Sequence, residues 1–187
     1  MSMKRMFVAL ALGMFALGGC SGYRYDDEQM RASLDAPYRL ASGDRLRVIV
    51  FGQDNLTNSF SVDGAGNISM SLIGSVHAQG QTTAQLVQTI EARLRAGYLR
   101  DPKISVEVEA FRPFFVLGEV GASGQYPFVN GMTAQTAIAI AGGFSPRGDQ
   151  SGVDITRVID GQPTTAFVPL TFTIRPGDTV TVRERFF

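Results

Sequence analysis

The stretch Thr82-Thr-Ala-Gln-Leu-Val-Gln-Thr-Ile-Glu-Ala-Arg-Leu-Arg95, then Ala96-Gly97, then Asp101-Pro-Lys-Ile-Ser-Val-Glu-Val-Glu-Ala110, places a helix directly before a strand. Thr82 with Gln85 three residues on is a capping-box pattern, in which each side chain satisfies a backbone N–H of the first turn. Leu86, Ile90 and Leu94 recur every four residues with Val87 beside them, so one face is apolar. The spacing predicts an amphipathic helix over 83–96, with Gly97 as its C-terminal cap and the Leu86, Ile90, Leu94 stripe buried. Asp101-Pro102 stops the chain. Ile104, Val106, Val108 and Ala110 then alternate with Ser105, Glu107 and Glu109, a half-buried strand. One helix over a few strands is a small α+β module.

Upstream, Ser42-Gly43-Asp44 is a turn signal feeding Arg45-Leu-Arg-Val-Ile-Val-Phe51, a run rich in β-branched residues. Asp63-Gly-Ala-Gly-Asn67 is a second turn. Phe60-Ser-Val62 and Ile68-Ser-Met70 flank it, which predicts a hairpin. Downstream, a second unit begins near Pro113, so the two modules meet around Phe111 to Phe114. Phe114 to Val120 and Tyr126 to Val129 read as strands around a Gly121-Ala-Ser-Gly124 loop. Thr133 opens a helix over 134–141 with Ala134, Ala137, Ile138 and Ala141 on one face, closed by Gly142-Gly143. Val153 to Ile159, Thr165 to Leu170 and Thr179 to Arg183 are further strands. Pro176-Gly177-Asp178-x-Val180-x-Val182 echoes Ser42-Gly43-Asp44-x-Leu46-x-Val48: in both, a glycine turn feeds an alternating strand.

The first residues read as an address. Lys4 and Arg5 form a basic n-region, and Phe7 to Leu17 is an apolar run of signal-sequence length, too short to span a bilayer. It ends in Leu17-Gly18-Gly19-Cys20, which resembles a bacterial lipobox, and Cys20 is the only cysteine. Cys20 is therefore expected to be acylated after removal of 1–19. The other reading is an ordinary secretory signal with an incidental cysteine. Ser21 in place of Asp points to the outer membrane under enteric-type sorting. Residues 20–36 are polar and aperiodic and read as a tether.

Composition narrows the function classes. Across 187 residues, 17 Lys plus Arg balance 17 Asp plus Glu, which argues against a nucleic-acid binder. With one Cys, one His and no Trp, the chain is poorly stocked for a zinc site, a disulfide framework or a thiol-His or Ser-His-Asp enzyme. His77 stands alone as a loop histidine. Gly64-Ala-Gly66 and Gly118-Glu-Val-Gly121 lack the Lys-Ser/Thr of a phosphate loop and read as turns. Gly142-Gly143 reads as a helix stop rather than an anion nest. Glu107 and Glu109 share one face of a strand, whereas a glycosidase needs carboxylates on opposite sides of the bond. Asp44 and Asp178 read as turn aspartates accepting backbone N–H bonds. The terminal pair Phe186 and Phe187 is a candidate contact with the same chain, a neighbouring subunit or partner, or lipid.

Taken in order, several stretches resemble the polysaccharide biosynthesis/export family of Wza-like outer-membrane export lipoproteins. They are Tyr38-Arg-Leu-Ala-Ser-Gly-Asp44, Val62-Asp-Gly-Ala-Gly-Asn-Ile-Ser-Met70, Leu72-Ile-Gly-Ser-Val76 with Gly80-Gln-Thr82, and Asp101-Pro-Lys-Ile-Ser-Val-Glu-Val108. Val116-Leu-Gly-Glu-Val120, Gly124-Gln-Tyr-Pro127, Thr133 to Gly143 and Arg175-Pro-Gly-Asp178 resemble a β-grasp, soluble-ligand-binding (SLBB) domain. The resemblance implies an export domain over 37–111 and one β-grasp domain over 112–187. It implies a non-enzymatic role without cofactor or metal, in export of capsular or exopolysaccharide through an oligomeric periplasmic collar. Its expected partners are further copies of itself, an inner-membrane copolymerase of tyrosine-kinase type and the polysaccharide. Large family members continue into a C-terminal pore helix, and this sequence stops after its last predicted strand. The expectation is a separate outer-membrane β-barrel, docked where Phe186 and Phe187 sit. The competing reading is a monomeric glycan- or ligand-binding lipoprotein; an enzyme, such as a lyase or glycosidase, is disfavoured.

Overall fold

The computed structural model describes residues 27–185. They fold as α+β around two hydrophobic cores, one on each side of Phe111.

The first core is built by β1 (Arg45–Val50), β2 (Asn58–Ser61), β3 (Asn67–Met70), β4 (Gly74–His77), α2 (Thr83–Arg95) and β5 (Ile104–Ala110). β1 is the middle strand of an antiparallel sheet ordered β2-β1-β5. Strict alternation along β1 sends Leu46, Val48 and Val50 inward and leaves Arg45 and Arg47 outside. Helix α2 packs on β5 and carries the capping box of Thr82 and Gln85. Leu86, Ile90 and Leu94 are fully buried, as the spacing predicts. The end of α2 differs from expectation. Gly97 is not left-handed; Ala96 is the cap, and the N–H groups of Tyr98 and Leu99 both turn back to the Leu94 carbonyl.

The expected 60–62/68–70 hairpin does not form. The turn is there: the Asp63 carboxylate accepts from the N–H groups of Ala65 and Asn67, and Gly66 takes a φ of +80°. It redirects the chain between sheets. Val62 exchanges backbone bonds with Gly43 and Asp44, whereas β3 pairs with β4 through Ile68↔Val76. Each flanking strand has a different partner.

The second core is built by β6 (Phe114–Gly118), β7 (Gly124–Tyr126), α3 (Ala134–Ile140), β8 (Val153–Ile159), β9 (Gln162–Val168) and β10 (Thr179–Val182). The sheet order is β7-β6-β10-β8-β9, with β6 and β10 parallel at its centre and the other pairs antiparallel. Ala134, Ala137, Ile138 and Ala141 of the α3 region pack against Phe114, Val116, Ile155 and Val180. Gly142 and Gly143, both left-handed, close the helix as read from the sequence. Several strand limits shift. β6 ends at Gly118, itself left-handed, rather than at Val120. β7 ends before Pro127, which has no N–H to continue the ladder. β9 starts at Gln162 because Asp160 and Gly161, both at positive φ, make a two-residue hairpin turn.

The expected tether over 20–36 is corrected for its described part. Residues 27–35 form helix α1 (Asp27–Asp35), which docks on β9 and buries Met30 completely in the second core. Met30 and Leu34, one turn apart, supply its apolar contact. Two apolar positions in an otherwise charged segment are too short a pattern to announce a helix from sequence.

Candidate functional site

The two Gly-Asp turns, 134 positions apart in the sequence, meet at one point of the fold. Asp44 and Asp178 are both buried, and in both turns the carboxylate accepts an N–H from three residues back. This bears out their reading as turn aspartates. What the sequence did not disclose is their arginines and their convergence on Arg112-Pro113. Arg112 N–H donates to Asp44 Oδ1 at 2.9 Å, and Gly177 N–H donates to the Pro113 carbonyl at 3.0 Å. The Arg112 side chain runs between the turns. A Cβ on Gly43 would sit 3.4 Å from Arg112 Cβ, and one on Gly177 would sit 2.4 Å from Arg112 Nε. Glycine is required here for its left-handed φ, +93° and +85°, and at Gly177 for space as well.

On the side of the first core, Tyr38 Oη donates into the Asp44 carboxylate, with the two oxygens at 2.8 and 2.7 Å, and accepts from Arg112 Nη1 at 3.2 Å. Burial first, and then the bond to Asp44, push the Tyr38 phenol far above the ordinary tyrosine range. The Tyr38 ring stands edge-to-face on Phe111 at 5.0 Å, and Phe111 on Phe128 at 5.6 Å. On the side of the second core, Arg157 donates Nε and Nη2 to Asp178 and Nη1 to Ser33 Oγ of α1. Arg175 Nη2 donates to the carbonyls of Leu34 and Ala36, both at 2.6 Å, and so caps the end of α1. Desolvation, followed by the nearby Arg157 charge, holds the Arg175 guanidinium below its usual range.

This arrangement is a polar clamp. Every buried side-chain polar atom among the described residues has a partner. Both aspartates are occupied as acceptors. The one sequence signal for Arg157 is its parity: in Val153, Ile155, Arg157 it takes an inward position of an alternating strand. The other residues singled out lie elsewhere. His77 is exposed but ends strand β4, paired with Asn67, rather than lying in a loop, and its Nδ1 is 3.2 Å from Asn67 Oδ1. Glu107 and Glu109 are exposed on β5, and Glu109 pairs with Arg45 at 2.8 Å. Among the described residues there is no grouping of His, Cys, Asp and Glu that could hold a metal. Cys20, Phe186 and Phe187 lie outside the described residues.

Residues 32–109 match the family profile described as polysaccharide biosynthesis/export protein, and residues 112–182 match that of the SLBB domain. The chain belongs to the polysaccharide biosynthesis/export family. Asp44 falls in the export domain and Asp178 in the SLBB domain, and Arg112 is the first residue of the second match. Helix α1 begins ahead of the export domain and docks on the SLBB domain. Among curated relatives, the exopolysaccharide production protein ExoF of Rhizobium meliloti (strain 1021) is 28% identical over 145 residues. That match covers 76% of this chain and 34% of the relative. The EPS I polysaccharide export outer membrane protein EpsA of Ralstonia solanacearum is 28% identical over 159 residues, 71% of this chain and 42% of the relative. EpsA of Ralstonia nicotianae is 26% identical over 185 residues, 80% and 48% respectively. The chain thus spans a third to a half of the length of these relatives. No helix among the described residues is long and apolar enough to cross a membrane.

Proposed function

We propose that this chain is a non-enzymatic component of an exopolysaccharide export machine, working on the periplasmic side of the outer membrane. The observation that carries the reading is the tandem match, an export domain followed directly by an SLBB domain; relatives named for exopolysaccharide production and export align with 76% and 71% of this chain. In this reading Cys20 carries the acyl anchor and further copies assemble into a collar that the hydrated glycan passes. An inner-membrane copolymerase feeds the collar, and a separate outer-membrane β-barrel completes the path.

Mechanism at this level is geometry. A collar must hold its shape while a polymer moves past it, so the two domains of each copy need a fixed angle. The clamp at Arg112-Pro113 supports that demand, because both Gly-Asp turns grip the same dipeptide and α1 straps the segment before the export domain onto the SLBB core. Without the Lys4 and Arg5 of the signal, the balance of charged residues stays close to neutral, which suits a wall that does not retain a charged polymer strongly.

Deleting the gene from its host and assaying secreted polysaccharide tests the role. Loss of secretion, restored by the wild-type copy and not by Cys20→Ala, is the expected result. Undiminished secretion overturns it. The mass of the detergent-extracted particle separates a collar, at many multiples of the mature protomer mass, from a monomeric glycan-binding lipoprotein.

A further inference from the structure

Two adjoining clefts open beside the clamp, sharing Tyr38, Arg175 and Pro176. One, of about 370 Å³, lies against the β8–β9 hairpin and is lined by Arg39, Arg112 and Arg175. The other, of about 390 Å³, is lined by Phe111, Phe128, Asn130 and Thr173. Each is in the size range of small-molecule sites.

The three guanidinium groups are unequally satisfied. Among the described residues, Arg39 and Arg175 have no carboxylate at ion-pair distance. Their guanidinium groups donate to main-chain carbonyls, Gly80 for the first and Leu34 and Ala36 for the second. Arg112 reaches Asp44 only at 4.0 Å and donates from Nη1 to Tyr38, which leaves Nε and Nη2 without an acceptor among those residues. Arg157 also lines this cleft, but its fork is spent on Asp178. The acidic groups facing these cations are Asp160 on the cleft wall, Asp178 and Asp35 near Arg175, and Asp44 near Arg112; Asp178 is already held by the Arg157 fork and Asp44 by Tyr38. The Arg175 charge, desolvated and beside Arg157, is one that an incoming anion would relieve. On the other side of Tyr38 and Arg175, the half-buried rings of Phe111 and Phe128 offer apolar surface next to amide and hydroxyl groups.

We propose that the joined clefts bind a carboxylate-bearing sugar unit, with its acid group at Arg39, Arg112 and Arg175 and its ring on the Tyr38, Phe111 and Phe128 side. The assignment deepens the export reading and rests on it, since the sugar is taken to belong to the transported polymer. The chemistry matches group by group. A guanidinium fork takes a carboxylate in bidentate fashion. The C–H face of a pyranose packs on aromatic rings, and its hydroxyls find Asn130 and Thr173. A single acidic unit held this way gives a weak, salt-sensitive foothold, which a moving polymer can leave.

The test titrates trigalacturonate, maltotriose and acetate into the full-length lipidated protein in detergent, read by calorimetry. Trigalacturonate is expected to bind at least about tenfold more tightly than maltotriose and to weaken as salt rises, in line with a charge-assisted contact. Arg112→Gln is expected to lose about tenfold in trigalacturonate affinity. Because Arg112 also packs between the two turns, Arg39→Gln, at an exposed position, is the second variant. It is expected to lose affinity with an unchanged melting temperature. Equal affinity for maltotriose, no binding of trigalacturonate, or displacement by equimolar acetate overturns the proposal. A host lacking the gene separates the two claims. If it secretes normally, the export reading fails. If it stops secreting while trigalacturonate does not bind, only the cleft assignment falls.

Discussion

Arg157 holds Asp178 in a two-pronged ion pair, Nε to Oδ1 at 2.9 Å and Nη2 to Oδ2 at 2.6 Å, with side-chain exposures of only 6% and 1%. The pair sits where α1, β8 and the second Gly-Asp turn meet, and Arg157 Nη1 carries the connection on to Ser33. A buried pair does not guarantee stability by itself, but breaking one leaves a desolvated charge. Arg157→Ala is therefore expected to cost about 3–5 kcal/mol in denaturant unfolding. Arg157→Lys should recover little of it, since an ammonium cannot reproduce the fork. A cost under about 0.5 kcal/mol, the level of surface substitutions, would contradict the structure.

Helix α1 depends on docking. Nine residues are too few for a stable isolated helix in water, where about 12–15 are already marginal. Its contribution is Met30, fully buried in the SLBB core. Met30→Ala is expected to destabilise the protein by about 2–5 kcal/mol and to strip hydrogen-exchange protection from α1. Met30→Leu conserves volume and should cost less than about 1.5 kcal/mol. Unchanged protection of α1 in Met30→Ala would place the helix off the core.

Gly177 and Gly52 separate two reasons for glycine. Both are left-handed, at +85° and +73°, but a Cβ at Gly52 meets nothing within 4 Å, whereas one at Gly177 runs into Arg112. Gly52→Ala should cost about 1–2 kcal/mol, the left-handed penalty alone. Gly177→Ala must also move Arg112, and should cost clearly more. Equal costs in parallel denaturation curves would mean that the turn and Arg112 are not in contact.

Tyr38 predicts an alkaline weakness. Its folded-state phenol titrates well above the ordinary value of about 10, so above that pH the unfolded chain loses a proton that the folded chain keeps. Fewer protons on the unfolded state make the slope of stability against pH negative. The Tyr38 contribution is complete below about pH 10 and is lost progressively above it. Tyr38→Phe should lower stability at neutral pH, by removing the hydrogen bond to Asp44, and flatten the decline above pH 10 relative to wild type. An identical alkaline decline in Tyr38→Phe would rule this out.

Periodicity made much of the fold legible. Leu86, Ile90 and Leu94, the capping box before them and the alternation of β1, β5 and β8 are local signals, and each survived folding because the tertiary contacts agree with them. The failures are non-local. The hairpin around Asp63 was read from a genuine turn, but the competition of Asp44 and Val76 for its flanking strands lies outside any short window. Helix α1 was missed because its stability resides in a core formed by residues beyond Pro113. The clamp was half visible: the two Gly-Asp turns echo each other in the sequence. Their partners do not, because Arg112 stands 68 residues from Asp44, and Arg157 stands 124 from Ser33.

The export role is tested most directly by where newly made polysaccharide accumulates when the protein is withdrawn. In a host whose copy is placed under depletion control, labelled sugar should enter polymer at the normal rate, vanish from the medium and build up in the periplasm. Re-expression should discharge it. Undiminished label in the medium after depletion, with no periplasmic accumulation, would contradict the account.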